Sequence, residues 1–595
     1  MKVYLENKVL LLLWFLLLAG FDIEASTYNY SASIECQISP SAPQYEGGLV
    51  ANPKFDDGLE GWKVFGKGKI EERTSKTGNK FIVAYNRTQS NDSFSQHIYL
   101  EEGLLHTFSA WVQISEGSDT VIAAFKTWYN ETKIVGSVIA QFGCWSMLKG
   151  GLSVNLTMPA ELYFTSKNSN IELWVDNVSL QPFTKRQWRD QQSKNIEKIR
   201  KRKVRIHVAD KKRKKLKGVE ITIEQKRPYF PLGCALTDSI IENRAYQDWF
   251  ISRFSHTATS FDNEMKWYWT EKDQGHENYS VPDAMVAFAK QHGISVRGHN
   301  IFWDDPDYNM NWVKSLSPRE LLGASVRRMG SVMSRYSGQL MGWDVMNENL
   351  HHSFFEERIG PNASAMFFKI AQALDSEAIM FLNEFNTLEQ PHDMVATPSE
   401  YLRKITNIRS LPGNEEMVVG IGLEAHFDRH EPNIAYMRAC LDVLGAINMP
   451  IWLTELDVQR CPNQADYLEE IMREAYSHPA VGGIIVFAGW KPTNCNDTCL
   501  NNNNYDTLPK GCAKLCLHDN RFKNLPSGDV VDKLLQEWKT RNLKGATDKN
   551  GVFEDAISHG EYNVKVFNPV TAKSLSMQVK VINEKSEPLD VWISI

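Results

Sequence analysis

Met341-Gly-Trp-Asp-Val-Met-Asn-Glu348 and Pro450-Ile-Trp-Leu-Thr-Glu-Leu-Asp457 share one pattern: an apolar run that stops on a carboxyl. Such runs read as buried strands, and an ionisable group at the end of a buried strand is costly unless it serves a site. Six further apolar runs end in polar or reactive residues near Cys234, Asp262, His299, Asn383, His426 and Ala488. Each interval between neighbouring run ends has room for one helix and its loops. Eight such units over ~250–300 residues is the size of a (β/α)8 TIM barrel, whose functional groups sit at the C-terminal ends of its strands. The same periodicity also fits a doubly wound open sheet. A lone Glu at a strand end is most often an ion-pair partner. Two of them, on the fourth and seventh strands of the count, suit a reaction that needs paired carboxyls. Glycoside hydrolysis is one: one carboxyl protonates the leaving oxygen and the other attacks or activates water.

Trp343-Asp-Val-Met-Asn-Glu348 and Leu453-Thr-Glu-Leu-Asp457 resemble the two active-site signatures of glycoside hydrolase family 10, the endo-1,4-β-xylanases. Phe261-Asp-Asn-Glu-Met-Lys-Trp267, Val296-Arg-Gly-His-Asn-Ile-Phe-Trp303, Phe381-Leu-Asn-Glu-Phe-Asn386 and Gly420-Ile-Gly-Leu-Glu-Ala-His426 follow in family order, so the likeness covers nearly all of 228–540. The resemblance implies a barrel, Glu348 as acid/base, Glu455 as nucleophile and a retaining double displacement without metal or other cofactor. It further implies that His426 hydrogen-bonds the nucleophile, with Asp457 behind it, and that Asn347 donates to the sugar 2-OH. Asp262, Asn263, Lys266, His299 and Trp303 match the residues that hold xylose. Four departures stand out: Asp262 for the usual Glu, Asp304 for a frequent His, Glu384-Phe385 for Asp-Tyr, and Phe487 for the Trp that covers the sugar. Trp490 is the expected partial replacement for that Trp.

Residues 46–183 read differently, as short β-like runs broken by Gly, Asn, Ser and Pro, the mark of an antiparallel sandwich. Asn52-Pro-Lys-Phe-Asp-Asp-Gly-Leu-Glu-Gly-Trp62 and Trp174-Val-Asp-Asn-Val-Ser-Leu180 resemble the opening and closing strands of jelly-roll carbohydrate-binding modules, family 22 above all, which binds xylan. Asn86-Arg87-Thr88 matches that family's sugar-contacting Arg segment. The Trp expected just after it is missing, which leaves Tyr129 and Phe94 as candidate platforms.

Residues 184–227 are expected as a basic linker followed by a β-hairpin, since Lys185 to Lys217 holds 16 Lys and Arg against three acids. The plain reading is a solvated segment; the other is attraction to an acidic wall polymer such as pectin. The strand-like stretch 204–225 and residues 545–595 resemble two halves of one small sandwich, so they are expected to pack as a single β unit split by the barrel. The fold class is therefore multidomain: a jelly-roll module, a barrel and a small C-terminal β unit.

The compartment is read at the N-terminus. Val9 to Gly20 is an apolar run behind Lys2 and Lys8, too short to span a bilayer, which takes ~20 residues. Residues 1–25 are expected as a signal peptide, giving a secreted, cell-wall protein with no stable membrane anchor. Sequons at Asn29, Asn86, Asn91, Asn130, Asn155, Asn177, Asn278, Asn362 and Asn496 are candidate glycosylation sites. Nine Cys are present, and Cys495, Cys499, Cys512 and Cys516 cluster. Their spacing fits a zinc site, but in a secreted chain disulfides pinning a loop are the expectation. A net charge of -6 over 595 residues argues against nucleic acid as a partner. The expected function is an endo-xylanase acting on wall xylan. A xylan-binding wall protein of low activity and a xylan transglycosylase are the alternatives.

Overall fold

The computed structural model describes residues 27–487, 489–540, 542–582 and 587–595. The expected signal peptide and the run end at Ala488 lie outside them. Eight strands make a parallel sheet: β1 (Leu232–Cys234), β2 (Ala258–Ser260), β3 (Ser295–Gly298), β4 (Gly342–Asn347), β5 (Ile379–Glu384), β6 (Val419–Leu423), β7 (Ile451–Val458) and β8 (Val481–Val486). They follow one another in chain order, β1 lies beside β8, and a parallel bridge from Leu236 to Phe261 joins β1 to β2. An open sheet is thereby excluded. Strands buried on both faces are mostly apolar along their length, which is why these segments read as near-continuous rather than alternating runs. Phe381, Trp452, Ile485, Ala235 and Ala258 fill the barrel interior. Room for Phe381 comes from its neighbours: a Cβ on Gly420 would lie 2.5 Å from its ring and one on Gly342 2.7 Å.

The module is an antiparallel sandwich of two five-stranded sheets, with Phe94, Phe108, Phe125 and Phe164 between them. Cys36 and Cys144 form a disulfide that ties the N-terminal segment to it. At the other end of the chain, Lys201–Ala209 pairs with Val552–Ser558 and Leu589–Ser594. Glu220–Pro228 pairs with Leu543–Ala546 and Gly560–Asn568. Val204, Ile206, Ile221, Tyr562, Val564 and Ile593 form the core between these two sheets. Residues on either side of the barrel in sequence thus build one unit.

The expected linker is largely ordered. Lys185–Ile199 is a helix, α1, begun by a capping box between Thr184 and Gln187. Its apolar side explains why it is not a spacer: Trp188 is buried, and both its indole N–H and the Gln192 amide donate to Glu474 Oε2 at 2.8 Å. Glu474 belongs to helix α3 (Gln464–Ser477) and also takes both arms of Arg438, from helix α2 (Ile434–Gly445), at 2.6 and 2.7 Å. Within the basic stretch, every residue of the turn Lys211–Lys215 is exposed.

Module and barrel meet through a second buried polar cluster. Lys149 Nζ, on the module, lies 2.5 Å from Asp442 Oδ2 on α2, both side chains 1% exposed. The Tyr28 hydroxyl donates to the same carboxylate at 2.7 Å, and His478 Nε2 lies 3.0 Å from its other oxygen. Removing one partner of such a pair leaves a charge buried and uncompensated, which costs about 3–5 kcal/mol. Asp442→Ala should therefore lose about that much stability in urea denaturation. A loss no larger than the ~0–1 kcal/mol of a surface ion pair would show that water reaches this interface.

Candidate active site

The C-terminal ends of the strands build the site. Glu348 follows β4 directly with φ 58°, a conformation that costs ~1–3 kcal/mol for a residue with a side chain. Its N–H donates to Asn383 O of β5 at 2.8 Å, which holds the turn. Glu455 lies within β7, and its N–H donates to Glu424 O at 3.0 Å. Ala425, at φ 66°, separates Glu424 from His426. That sharp turn brings both side chains to Glu455.

Asn383 Nδ2 is the hub. It donates to Glu455 Oε1 and Asn347 Oδ1, both at 2.8 Å, and lies 3.2 Å from Glu424 Oε1. His426 Nδ1 meets Asp457 Oδ1 at 2.7 Å; its Nε2 is 3.3 Å from Glu424 Oε2 and 3.8 Å from Glu455 Oε2. His299 Nε2 lies 3.7 Å from the other Glu455 oxygen, while its Nδ1 meets Asp344 at 2.8 Å. Asp344 is paired in turn with Arg297. Lys266 Nζ sits 4.3 Å from the centre of the Trp303 ring, and that ring stacks on Tyr308 at 3.7 Å. Asn263 receives the Tyr268 hydroxyl at 2.6 Å.

Burial raises the Glu348 carboxyl to about 7; the nearby Trp303 indole opposes this, and the charges of Glu384, Glu455 and Asp305 add to it. The indole N–H lies near the carboxyl without full hydrogen-bond geometry. Burial also works against a charged His426, yet Asp457 and Glu424 hold the ring well above its ordinary value. Burial and then the charge of Glu455 push the Glu424 carboxyl well up, while its contact with His426 opposes this. Burial takes His299 down to about 3, which leaves it neutral. Asp344 engages its Nδ1, so Nε2 is the ring nitrogen turned towards Glu455 and the mouth.

Residues 222–509 match glycosyl hydrolase family 10, and residues 47–170 match a carbohydrate binding domain. The chain is 40% identical to endo-1,4-beta-xylanase 5 of Arabidopsis thaliana over 97% of its own length and 96% of that protein's. The chain belongs to glycosyl hydrolase family 10. Endo-1,4-beta-xylanase 4 of the same plant is 40% identical over 99% of this chain and 98% of its own. Among solved structures, the CBM22-1–GH10 modules of Clostridium thermocellum endo-1,4-beta-D-xylanase 10B, complexed with xylohexaose, match at 15% identity and a TM-score of 0.41, covering 82% of this chain and 97% of that one.

Within this family 10 chain, Glu348, Glu455, His426, Asp457, Asn347, His299, Lys266 and Trp303 converge on one mouth, while three expected contacts read differently. Trp490 is 4% exposed. Its ring packs against Tyr246, Phe522 and His518, and its N–H donates to Asn520 at 3.0 Å. Packing thus occupies the ring that sequence offered as a sugar cover. Phe487 instead stands edge-on to His426, centroids 5.6 Å apart. Asp262 is already engaged by the Lys491 ammonium and by Asn263 Nδ2 at 2.9 Å. In the module, Arg87 is buried and its guanidinium donates to the carbonyls of Ser90, Asp92, Ser166, Asn168 and Ile171. It staples loops together and presents no donor to a sugar. Phe94 is fully buried, whereas Trp128 and Tyr129 are 78% and 68% exposed.

The four clustered Cys form Cys495–Cys516 and Cys499–Cys512, so they offer no zinc ligands. Among the described residues, two other groups could hold a cation, Glu424-His426-Glu455 and Asp305-Glu348-His352, with ligand atoms within 4.8 Å of one another. Each contains a carboxyl that the hydrolysis needs free, so a cation there would compete with the chemistry. Sequence reasoning missed Glu424 and the hub role of Asn383. Both stand inside motifs quoted for the family; the signal for Glu424 was a third carboxyl two residues before His426.

Glu348 must carry its proton to act as an acid. The activity should fall as pH rises through about 7, the value to which burial and its neighbours hold that carboxyl. Glu384→Gln removes one charge that raises it, so the alkaline limb of kcat/KM should move to lower pH. A limb that stays in place would remove Glu384 from the tuning of Glu348.

Proposed function

We propose that this protein is a secreted endo-1,4-β-xylanase that cleaves cell-wall xylan with retention of anomeric configuration. The observation that carries the reading is the asymmetric pair at one buried mouth: Glu348, whose carboxyl burial and charge raise to about 7, and Glu455, into which Asn383 donates at 2.8 Å. The near-full-length xylanase relatives support the same substrate. Glu455 attacks the anomeric carbon as Glu348 gives its proton to the departing glycosidic oxygen, forming a glycosyl ester. Glu348, now a carboxylate, takes a proton from water, whose oxygen attacks the same carbon and releases Glu455. In this reading Asn347 and His299 Nε2 hold hydroxyls of the sugar under attack. A transglycosylase would use every one of these groups and differ only in accepting a sugar hydroxyl in place of water.

The module is proposed to hold xylan on its exposed aromatic groups, Trp128 and Tyr129, which follow directly on the strand Ser118–Thr127. Secretion is supported by the apolar N-terminal run and by six sequons whose Asn is exposed: Asn86, Asn91, Asn130, Asn155, Asn278 and Asn362. Asn29 and Asn496 are half-buried. Asn177 is buried and donates to Ser41 O at 2.9 Å, so it is excluded as an acceptor in the folded chain. The exposed basic turn Lys211–Lys215 supports attraction to acidic wall polymers such as pectin. Among the described residues, no helix is long and apolar enough to cross a membrane.

Glu455→Gln should abolish xylan cleavage with the fold retained, because an amide of the same shape cannot form the glycosyl ester. Glu348→Ala should spare the first step on substrates with very good leaving groups. Sizing the products from xylan and labelled xylo-oligosaccharides, with the anomer first released read by NMR, tests the rest. An inverted first product would end the double displacement, and chain-lengthened products would favour transfer over hydrolysis.

A further inference from the structure

The C-terminal β unit takes no part in the chemistry above, yet one of its faces is built for contact. In the sheet formed by Val552–Ser558, Lys201–Ala209 and Leu589–Ser594, Val204, Ile206, Val208, Val591 and Ile593 turn into the core. The alternate residues therefore face outward. Parallel register sets Arg205 beside Asp590 and His207 beside Trp592. Trp592 is 75% exposed. Its ring lies flat on His207, centroids 3.9 Å apart and planes 9° apart, and His207 Nε2 meets Asp590 Oδ1 at 2.6 Å. One face of the indole is seated on a fixed imidazole and the rest is open to water. A flat ring already held on a strand loses little freedom when a ligand covers it.

The same strand leads into the basic turn. Asp210, three residues past His207 and so about 10 Å along the strand, accepts from the N–H groups of Lys212 at 2.8 Å and Lys214 at 2.9 Å, which shapes the loop. Lys211, Lys212, Arg213, Lys214 and Lys215 are all exposed, and none of them has an ion-pair partner among the described residues. Lys203 and Arg205, by contrast, are paired with Glu554. Five uncompensated cations on a chain of net charge -6 form a local positive patch beside a flat aromatic surface. A pyranose ring presents C–H groups that suit the indole face, and carboxylates along the same chain suit the turn. A neutral chain would gain nothing from the cations, and a small anion would gain nothing from the ring.

We propose that the outer face around Trp592 and the Lys211–Lys215 turn form one binding site for a polysaccharide chain that carries uronate carboxylates. It deepens the wall-retention reading above, on which it rests, by giving that retention an aromatic anchor and a fixed place outside both the catalytic mouth and the module. Galacturonan and glucuronate-branched xylan share the required chemistry.

Affinity electrophoresis of the full chain in gels containing polygalacturonate, glucuronate-branched xylan or neutral arabinoxylan tests it. Both uronate polymers should retard the wild type at low salt, and retardation should fade as salt screens the turn. Trp592→Ala should weaken it roughly three- to tenfold, the scale of one aromatic contact, and Trp592→Phe should keep most of it. Gln at all five basic positions should abolish retardation by polygalacturonate and reduce that by glucuronate-branched xylan to the level neutral arabinoxylan gives. Mobility in neutral arabinoxylan and activity on soluble neutral xylan should be unchanged in every variant. Stronger retardation by one uronate polymer would identify the source. Retardation lost in the Gln variant but unaltered in Trp592→Ala would overturn the site and leave charge-only retention standing. No retardation by either polymer would overturn both.

Discussion

Three carboxyls, Glu348, Glu424 and Glu455, share one buried mouth, and like charges so close in low dielectric cannot all be ionised. The surrounding residues exist to decide which ones are. His426, held cationic by Asp457, and Asn383, aimed at Glu455, supply positive charge and donors on one side. Burial and the charge of Glu455 both push the Glu424 carboxyl well up. Glu348, across the mouth, is raised to about 7 by burial and by the charges of Glu384, Glu455 and Asp305. The carboxyls of one mouth are thereby held in unlike environments, which is what the proposed double displacement asks of them.

That arrangement needs strands in a fixed order more than it needs any single residue. Glu348 and Glu455 come from β4 and β7, with Asn383 from β5 and His426 just past β6 reaching between them. The barrel interior beneath is apolar and tightly filled by Phe381 and Trp452, so the polar groups above cannot relax downward. The Arg297–Asp344–His299 chain is the exception, a buried polar thread that orients one imidazole towards Glu455.

The same logic sets the place of the module. An ion pair out of water adds little net stability, yet it is expensive to break and strict about geometry. Lys149 and Asp442, with Tyr28 and His478, therefore fix the register of module on barrel, while Glu474 holds α1 against α2 and α3. A polysaccharide held by the module would meet the catalytic mouth at one relative orientation.

Sequence by itself marked out the sandwich and the two carboxyls, and its resemblance to a family pointed to the barrel, but periodicity alone left an open sheet standing. A carboxyl closing an apolar run is costly unless it serves a site, so Glu348 and Glu455 stand out in their runs. Alternation likewise marks 204–225 and 545–595 as strands with one buried side, and the structure shows which sheets they share. Side-chain burial was not legible, because the same residue types serve both a core and a sugar platform. Trp490 and Arg87 look like ligand groups in sequence and are packing and stapling groups in space; Trp592 attracted no notice and stands exposed. Nor could spacing show that Lys185–Ile199 docks through Trp188. Which cysteines pair, which sequons face water and which of three carboxyls keeps its proton were decided only by tertiary structure. Each depends on distances between segments far apart in the chain, and on the water those segments exclude.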